Sequence, residues 1–185
     1  LNKDCMPRRI LKISDIKDSS NLSTKDIENT IHGLSKLNYI AGIPVRYHDV
    51  DSFYNTFNTS MLEFHMSDRD LRLNPSDYIK QDFSSVDLIV HAVEQYEDGF
   101  IFDIASNEDN IIKRSFLEIE RLISHINKLK VFFKNKENDP IVINLGGFTN
   151  ESFLSSEEYK YCFNRCINNL KIINNKYKEY EFIPQ

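Results

Sequence analysis

Apolar residues recur along this chain with two different periods. At Ile27, Ile31, Leu34 and Leu37 the spacing is helical, and Ser23-Thr24-Lys25-Asp26 in front of it fits a capping box. Gly33 weakens the interior of that helix. Ahead of it, Lys, Asp and Ser surround a single apolar run, Ile10-Leu11-Lys12-Ile13, which reads as a linker or the last strand of a preceding domain. From residue 40 the pattern tightens into compact runs. Ile40-Ala41-Gly42-Ile43-Pro44-Val45, Met61-Leu62-Glu63-Phe64-His65-Met66, Val86-Asp87-Leu88-Ile89-Val90-His91 and Ile141-Val142-Ile143-Asn144-Leu145 have the length and composition of strands. Phe53 and Phe57 mark a short helix after the first run. Phe100-Ile101-Phe102-Asp103-Ile104 is a strand or an ordered loop, and Glu179 to Gln185 begins one more strand.

Two long helices lie among these runs. Ser106 and Asp109 fit a capping box that opens a segment with Ile112, Phe116, Ile119, Ile123 and Ile126 on one face. Ser155 and Glu158 fit a third, followed by Tyr159, Phe163, Cys166, Leu170, Ile173 and Tyr177 at helical spacing. Both helices are expected to pack outside the sheet and to bury Phe116, Ile119, Ile123, Phe163, Leu170 and Ile173. His125 falls on the polar side and is expected to face solvent.

Strands separated by helices imply parallel pairing through crossover connections, an α/β class. A closed eight-stranded barrel takes about 250 residues, more than this chain has. The expectation is a partial or truncated (β/α) TIM-type barrel with parallel strands. It would occupy residues 38–185 and be incomplete at its C-terminus, behind an N-terminal arm or linker with one helix at 1–37. The chain starts at Leu1 and is read as a fragment of something longer. An unclosed sheet exposes strand edges, so a homo-oligomer is expected.

In parallel α/β folds ligands bind beyond the carboxyl ends of the strands, and the polar residues cluster there. Glu63 and His65, two apart, share one strand face while Leu62 and Phe64 share the other. Arg46 and His48 follow the first run, His91 and Glu94 the third, and Asn144, Gly146 and Gly147 the fourth. Burying a carboxylate and an imidazole costs several kcal/mol unless they are paired or metal-bound. A divalent metal held by His91 and Glu94, with Glu63 and His65 as acid and base, suits chemistry at a sugar carbon or carbonyl. Arg46, His48, Asn144, Gly146 and Gly147 are then candidate substrate contacts. The plainer alternative is that these groups only hydrogen-bond to each other and to loops, and that the glycines supply a tight turn.

Net charge narrows the partners. At −5, with a pI near 5.6 and no Lys/Arg stripe, the chain is not built for nucleic acid. No run reaches the roughly 20 apolar residues of a membrane helix, and the first ten residues are too charged for a signal peptide. Cys5, Cys162 and Cys166 lack metal-ligand spacing, and the last two suit a buried helical face. A soluble, cytoplasmic protein is expected. Walker, dinucleotide-fingerprint and nucleophile-elbow motifs are absent.

Several segments, taken in order, resemble one bacterial family. They are Gly42-Ile43-Pro44-Val45-Arg46-Tyr47-His48-Asp49, Leu62-Glu63-Phe64-His65-Met66-Ser67 on to Asp70-Leu71, Val90-His91-Ala92 with Glu94, Asn144-Leu145-Gly146-Gly147-Phe148, and Ile183-Pro184-Gln185. The family is the sugar-phosphate isomerase/epimerase-like barrel carried as an extra domain by sialic acid (N-acetylneuraminate) synthase-type proteins. The resemblance covers roughly residues 38–185. It implies a xylose-isomerase-like barrel in nonulosonic acid biosynthesis for surface polysaccharide, acting on an amino sugar or sugar phosphate beside the other domains of a synthase polypeptide. The synthase condensation itself belongs to a different barrel. Members of the wider superfamily bind divalent metals through His, Glu and Asp at strand ends, and Glu63, His65, His91 and Glu94 match by position. The family continues past Pro184-Gln185 into further strands that this chain lacks. The segment from Arg8-Arg9-Ile10 to Asp15-Ile16 is similar to the synthase's small antifreeze-like domain. Two other functions remain open: a non-catalytic domain that scaffolds or oligomerises the synthase, and a metal-dependent endonuclease-like phosphodiesterase, which the acidic charge disfavours.

Overall fold

The computed structural model describes residues 42–134, 138–147 and 154–185. The chain divides into two compact units, Leu1–Tyr39 and Ile40–Gln185, and every described residue belongs to the second. The arm at 1–37, its expected helix and Cys5 lie outside the described residues.

The elements alternate. In chain order they are β1 (Gly42–Val45), α1 (Val50–Phe57), β2 (Met61–His65), α2 (Pro75–Tyr78), β3 (Asp87–His91), α3 (Asp109–Leu129), β4 (Asp139–Ile143), α4 (Ser156–Lys176) and β5 (Tyr180–Pro184). All neighbouring strands pair in parallel, and their order in the sheet is their order in the chain. With this order, right-handed crossovers between successive strands put the described helices on one side of the sheet. A doubly wound sheet would instead reverse direction partway and carry helices on both faces. The parallel α/β class is therefore as expected. Closure into a barrel is not seen among the described residues, where β1 and β5 are the sheet's edges.

Burial follows the strand period. Ile43, Val45, Leu62, Phe64, Leu88, Val90, Ile141, Ile143, Tyr180 and Phe182 are buried on the helix side. Their neighbours Glu63, His65, Ile89, His91 and Val142 are only half-buried on the other. Phe64 sits under the helical layer, in ring contact with Tyr47 and Phe133, and Phe133 stacks on Phe83.

Several details differ from the sequence reading. The box at Ser155 is present, with Glu158 N–H donating to Ser155 Oγ and Ser155 N–H to Glu158 Oε2. The one expected at Ser106 is not: α3 starts behind Glu108 without a side-chain cap, and Ser106 Oγ accepts from the Glu108 amide instead. Residues 100–104 form no strand of the sheet. Ile101 bridges back to Gln95 across a turn in which Gly99 has φ +85°. On α3, Ile119 and Ile123 are buried as expected and Phe116 half-buried.

Helix α4 buries Cys166 and Ile173 of its expected face but is turned enough to expose Tyr159 and, by 52%, Phe163. It also buries Cys162 and leaves Leu170 half-buried. Polar ties set that rotation. Arg165 pairs with Asp109, Lys176 pairs with Glu120, and Asn169 Nδ2 donates to the Ile104 carbonyl at 2.8 Å. His125 also departs from expectation, being 2% exposed. It lies on the α3 stripe with Leu122, Ile126 and Leu129, where the Tyr47 hydroxyl lies 2.7 Å from its Nε2 and its Nδ1 has no hydrogen bond.

Candidate metal centre at the strand ends

Leu62 and Phe64 drop into the helical layer, so the alternation of β2 forces Glu63 and His65 onto the open face. On β3, burial of Leu88 and Val90 turns His91 the same way. The register sets His91 directly beside His65, their rings edge to face with centroids 4.5 Å apart. Glu63 Oε1 lies 2.9 Å from His65 Nε2 and 3.6 Å from His91 Nδ1. One donor atom from each of the three residues falls within 4.8 Å of the others.

His91 is the strained member of this group in polar terms. Its side chain is 13% exposed, and neither ring nitrogen makes a hydrogen bond. Leaving a buried polar group unsatisfied costs about 1–3 kcal/mol. A divalent transition metal, with bonds of about 2.0–2.2 Å, places adjacent donors about 3–3.5 Å apart. The Glu63 separations straddle that spacing, and two imidazoles with one carboxylate suit such an ion, so the residues fit a metal. Glu94 stands outside the trio. Its Oε1 is 3.5 Å from His91 Nε2, on the nitrogen facing away from Glu63. The grouping thus differs from the sequence assignment of His91 with Glu94 as ligands and Glu63 with His65 as acid and base.

His65, His91 and Glu94 line a cleft of about 290 Å³ with Arg46, Ser67 and Gln95. Arg46 reaches it from the end of β1, its Nη1 3.4 Å from Asp70 Oδ2. His48 does not line this cleft. It is largely exposed, 3.4 Å from Asp49, in a neighbouring cleft that also contains Arg46. Asn144, Gly146 and Gly147 do not line it either. Asn144 Oδ1 accepts the Gly146 amide at 2.9 Å, and Gly146 has φ +87°. A Cβ there would lie 2.0 Å from Asp103 Oδ1, so only glycine lets this turn close on Asp103. Gly147 lines a separate cavity of about 120 Å³ with Asp103 and Cys162.

Sequence reasoning missed the loop that shapes the cleft floor. Ser67 N–H and Oγ–H donate to Asp70 Oδ2 at 2.8 and 2.6 Å, and the Asp70 amide returns to Ser67 Oγ at 3.3 Å. This is the same Ser-x-x-acid reciprocity as at Ser155, placed before a 3₁₀ turn, and its signal was present in the residues. Asp68 beside it is buried, which would raise its pKa. Hydrogen bonds from Arg121 and the Glu97 amide, with the Arg121 and Arg72 charges, hold it below the usual carboxylate range.

Among the described residues no helix is long and apolar enough to cross a membrane. Comparison with family models, curated proteins and solved structures finds no match to this chain.

Proposed function

We propose that the Ile40–Gln185 unit is a metal-dependent carbohydrate-processing domain, part of a (β/α) barrel with sugar isomerase- or epimerase-like chemistry. Glu63, His65 and His91 hold one divalent ion. The observation that carries this reading is His91, nearly buried and without a hydrogen bond, against the carboxylate of Glu63 and the ring of His65. The ion, when bound, polarises a sugar carbonyl or hydroxyl. Glu94 is the cleft carboxylate outside the three donors, half-exposed, and takes and returns the proton at the sugar carbon. Arg46 orients the substrate at the rim. The resemblance to the extra barrel of sialic acid synthase-type proteins supports an amino sugar or sugar phosphate as substrate and the rest of a synthase polypeptide as neighbour.

Titration of the full chain with Co²⁺, followed by calorimetry and the visible spectrum, tests the centre. One ion per chain is expected, with Glu63→Gln and His91→Gln each weakening binding at least about tenfold. Equal affinity in the wild type and both variants would overturn the assignment. Deuterium uptake from solvent into N-acetylated hexosamines then reports the proton transfer, and it should vanish in Glu94→Gln.

A second reading rests on the sheet itself. Ile89 and Val142 lie on the face that carries no helix among the described residues, and Ile183 is 39% exposed. That apolar surface supports a scaffolding or self-associating role.

A further inference from the structure

His91 meets a carboxylate on each side. Its Nδ1 lies 3.6 Å from Glu63 Oε1 and its Nε2 3.5 Å from Glu94 Oε1, and neither nitrogen makes a hydrogen bond. A neutral imidazole carries one N–H and one lone pair. The ring can therefore donate to only one of these acceptors, and its other nitrogen turns a lone pair toward a carboxylate. With the side chain 13% exposed, solvent screens that repulsion poorly, and a cation between the two removes it. We propose that Glu94 accepts the Nε2 proton of His91 and so fixes Nδ1 as the metal donor. Glu94 is then a positioning residue for the metal as well as the carboxylate that exchanges a proton with substrate. The metal half of this inference rests on the metal-centred reading, and the place of the proton does not.

Asymmetry between the two sides decides which one takes the proton. On the Nδ1 side His65 joins Glu63, and with His91 they are the one group of three with donor spacing for an ion among the described residues. On the Nε2 side no third donor joins Glu94. A cation belongs on the first side and a proton on the second. A metal-bound histidine characteristically gives its other ring N–H to a carboxylate, which fixes the tautomer and raises the basicity of the ligating nitrogen.

Both main chains are held for this contact. The His91 carbonyl accepts the Met66 amide at 3.0 Å, and the Ala92 amide donates to the Val142 carbonyl at 2.8 Å. Glu94 opens a hairpin, its carbonyl accepting the Phe102 amide at 2.9 Å, with Gln95 bridged to Ile101. That hairpin is braced from outside. The Glu97 amide donates to Asp68 Oδ2, Arg72 pairs with Glu97, and Arg114 bonds Asp98 at 2.6 Å while lying over the Phe100 ring. Only the half-exposed Glu94 side chain has to move, and closing to a charge-assisted bond of about 2.7–2.9 Å takes less than about 1 Å. The contact uses Oε1 and leaves the second oxygen for the proton at the sugar carbon.

Two substitutions separate these roles of Glu94. Glutamine keeps a side-chain carbonyl that accepts from Nε2 but takes up no proton, and leucine does neither. Calorimetry on the full chain should find Co²⁺ affinity within about threefold of wild type in Glu94→Gln and about tenfold or more weaker in Glu94→Leu. Equal affinity in Glu94→Leu and wild type overturns the proposal. So does an equal loss in both variants, which would make Glu94 a ligand. Ring ¹⁵N NMR of the metal-free chain reads the proton directly. Wild type and Glu94→Gln should hold neutral His91 with its proton on Nε2, and Glu94→Leu should move it toward Nδ1 and Glu63. A wild-type proton on Nδ1, or a tautomer that Glu94→Leu leaves unchanged, sinks the pairing. Should the wild type take up no Co²⁺, the metal centre fails, and the tautomer still decides the place of Glu94.

Discussion

The two faces of the β2–β3 pair are made by the same ten residues and have opposite characters. Leu62, Phe64, Leu88 and Val90 point into the helical layer and are at most 1% exposed. Glu63, His65 and His91 point the other way, half-buried and close together. One face is satisfied by carbon packing alone. The other holds polar groups at separations that packing does not require, and His91 there lacks a hydrogen bond. A strand that interleaves the two puts stability and chemistry one residue apart, so single substitutions can separate them.

The largest effect is expected on the packed face. Phe64→Ala removes a ring in contact with Tyr47 and Phe133 and should cost about 3–5 kcal/mol in urea unfolding. Glu63→Gln, next in sequence, should change metal-free stability by less than about 1 kcal/mol, as loss of partly exposed pairs does. Co²⁺ should then stabilise the wild type by mass action and leave Glu63→Gln unmoved. Equal losses for both variants without metal would mean that the Glu63 face is structural.

His125 sharpens the contrast, because it is a titratable group on the packed side. Burial, with Lys128 and Arg121 nearby, pushes its pKa down from 6.5 to about 4, against the opposing pull of Asp70. The unfolded chain therefore takes up this proton before the folded chain does. Its contribution to stability is whole above pH 6.5, falls as pH drops through the window to about 4, and is flat below. The loss should be on the order of 2–3 kcal/mol. In His125→Gln, whose side-chain carbonyl can still accept from Tyr47, the unfolding midpoint should fall less steeply across that window. An unchanged slope would place the acid sensitivity elsewhere.

The packed face was legible in the sequence where the period was short. Alternation along residues 61–65 placed Glu63 with His65, and the run ending at His91 placed the third donor. What the sequence could not supply was the register that sets His91 against both, since strand pairing is a long-range choice. Helical stripes were less secure. On α4, Tyr159, Phe163, Cys166, Leu170, Ile173 and Tyr177 form the expected apolar line, and Cys166 and Ile173 of that line are buried. The ties of Arg165, Asn169 and Lys176 to partners more than fifty residues away shift the buried face toward Cys162 and leave Phe163 exposed. His125 departs from expectation for a related reason: its residue type reads as polar, yet it is buried with Tyr47 at Nε2 and no hydrogen bond at Nδ1.

The smallest effect should come from the outer side of α4, and it tests that rotation. Phe163 stacks on Tyr159 with centroids 6.1 Å apart and planes at 16°, yet both rings are more than half exposed. Phe163→Ser gives up only that partial contact and should cost less than about 0.5 kcal/mol, the usual range for surface changes. Ile173→Ala empties a fully buried position on the same helix and should cost about 2–5 kcal/mol. The ratio between them measures how much of the expected stripe faces the sheet. A loss above about 1 kcal/mol at Phe163 would mean that this stripe is covered in solution. Light scattering then separates the two ways of covering it: a dimer places a second copy there, and a monomer means that α4 sits rotated toward its tyrosines.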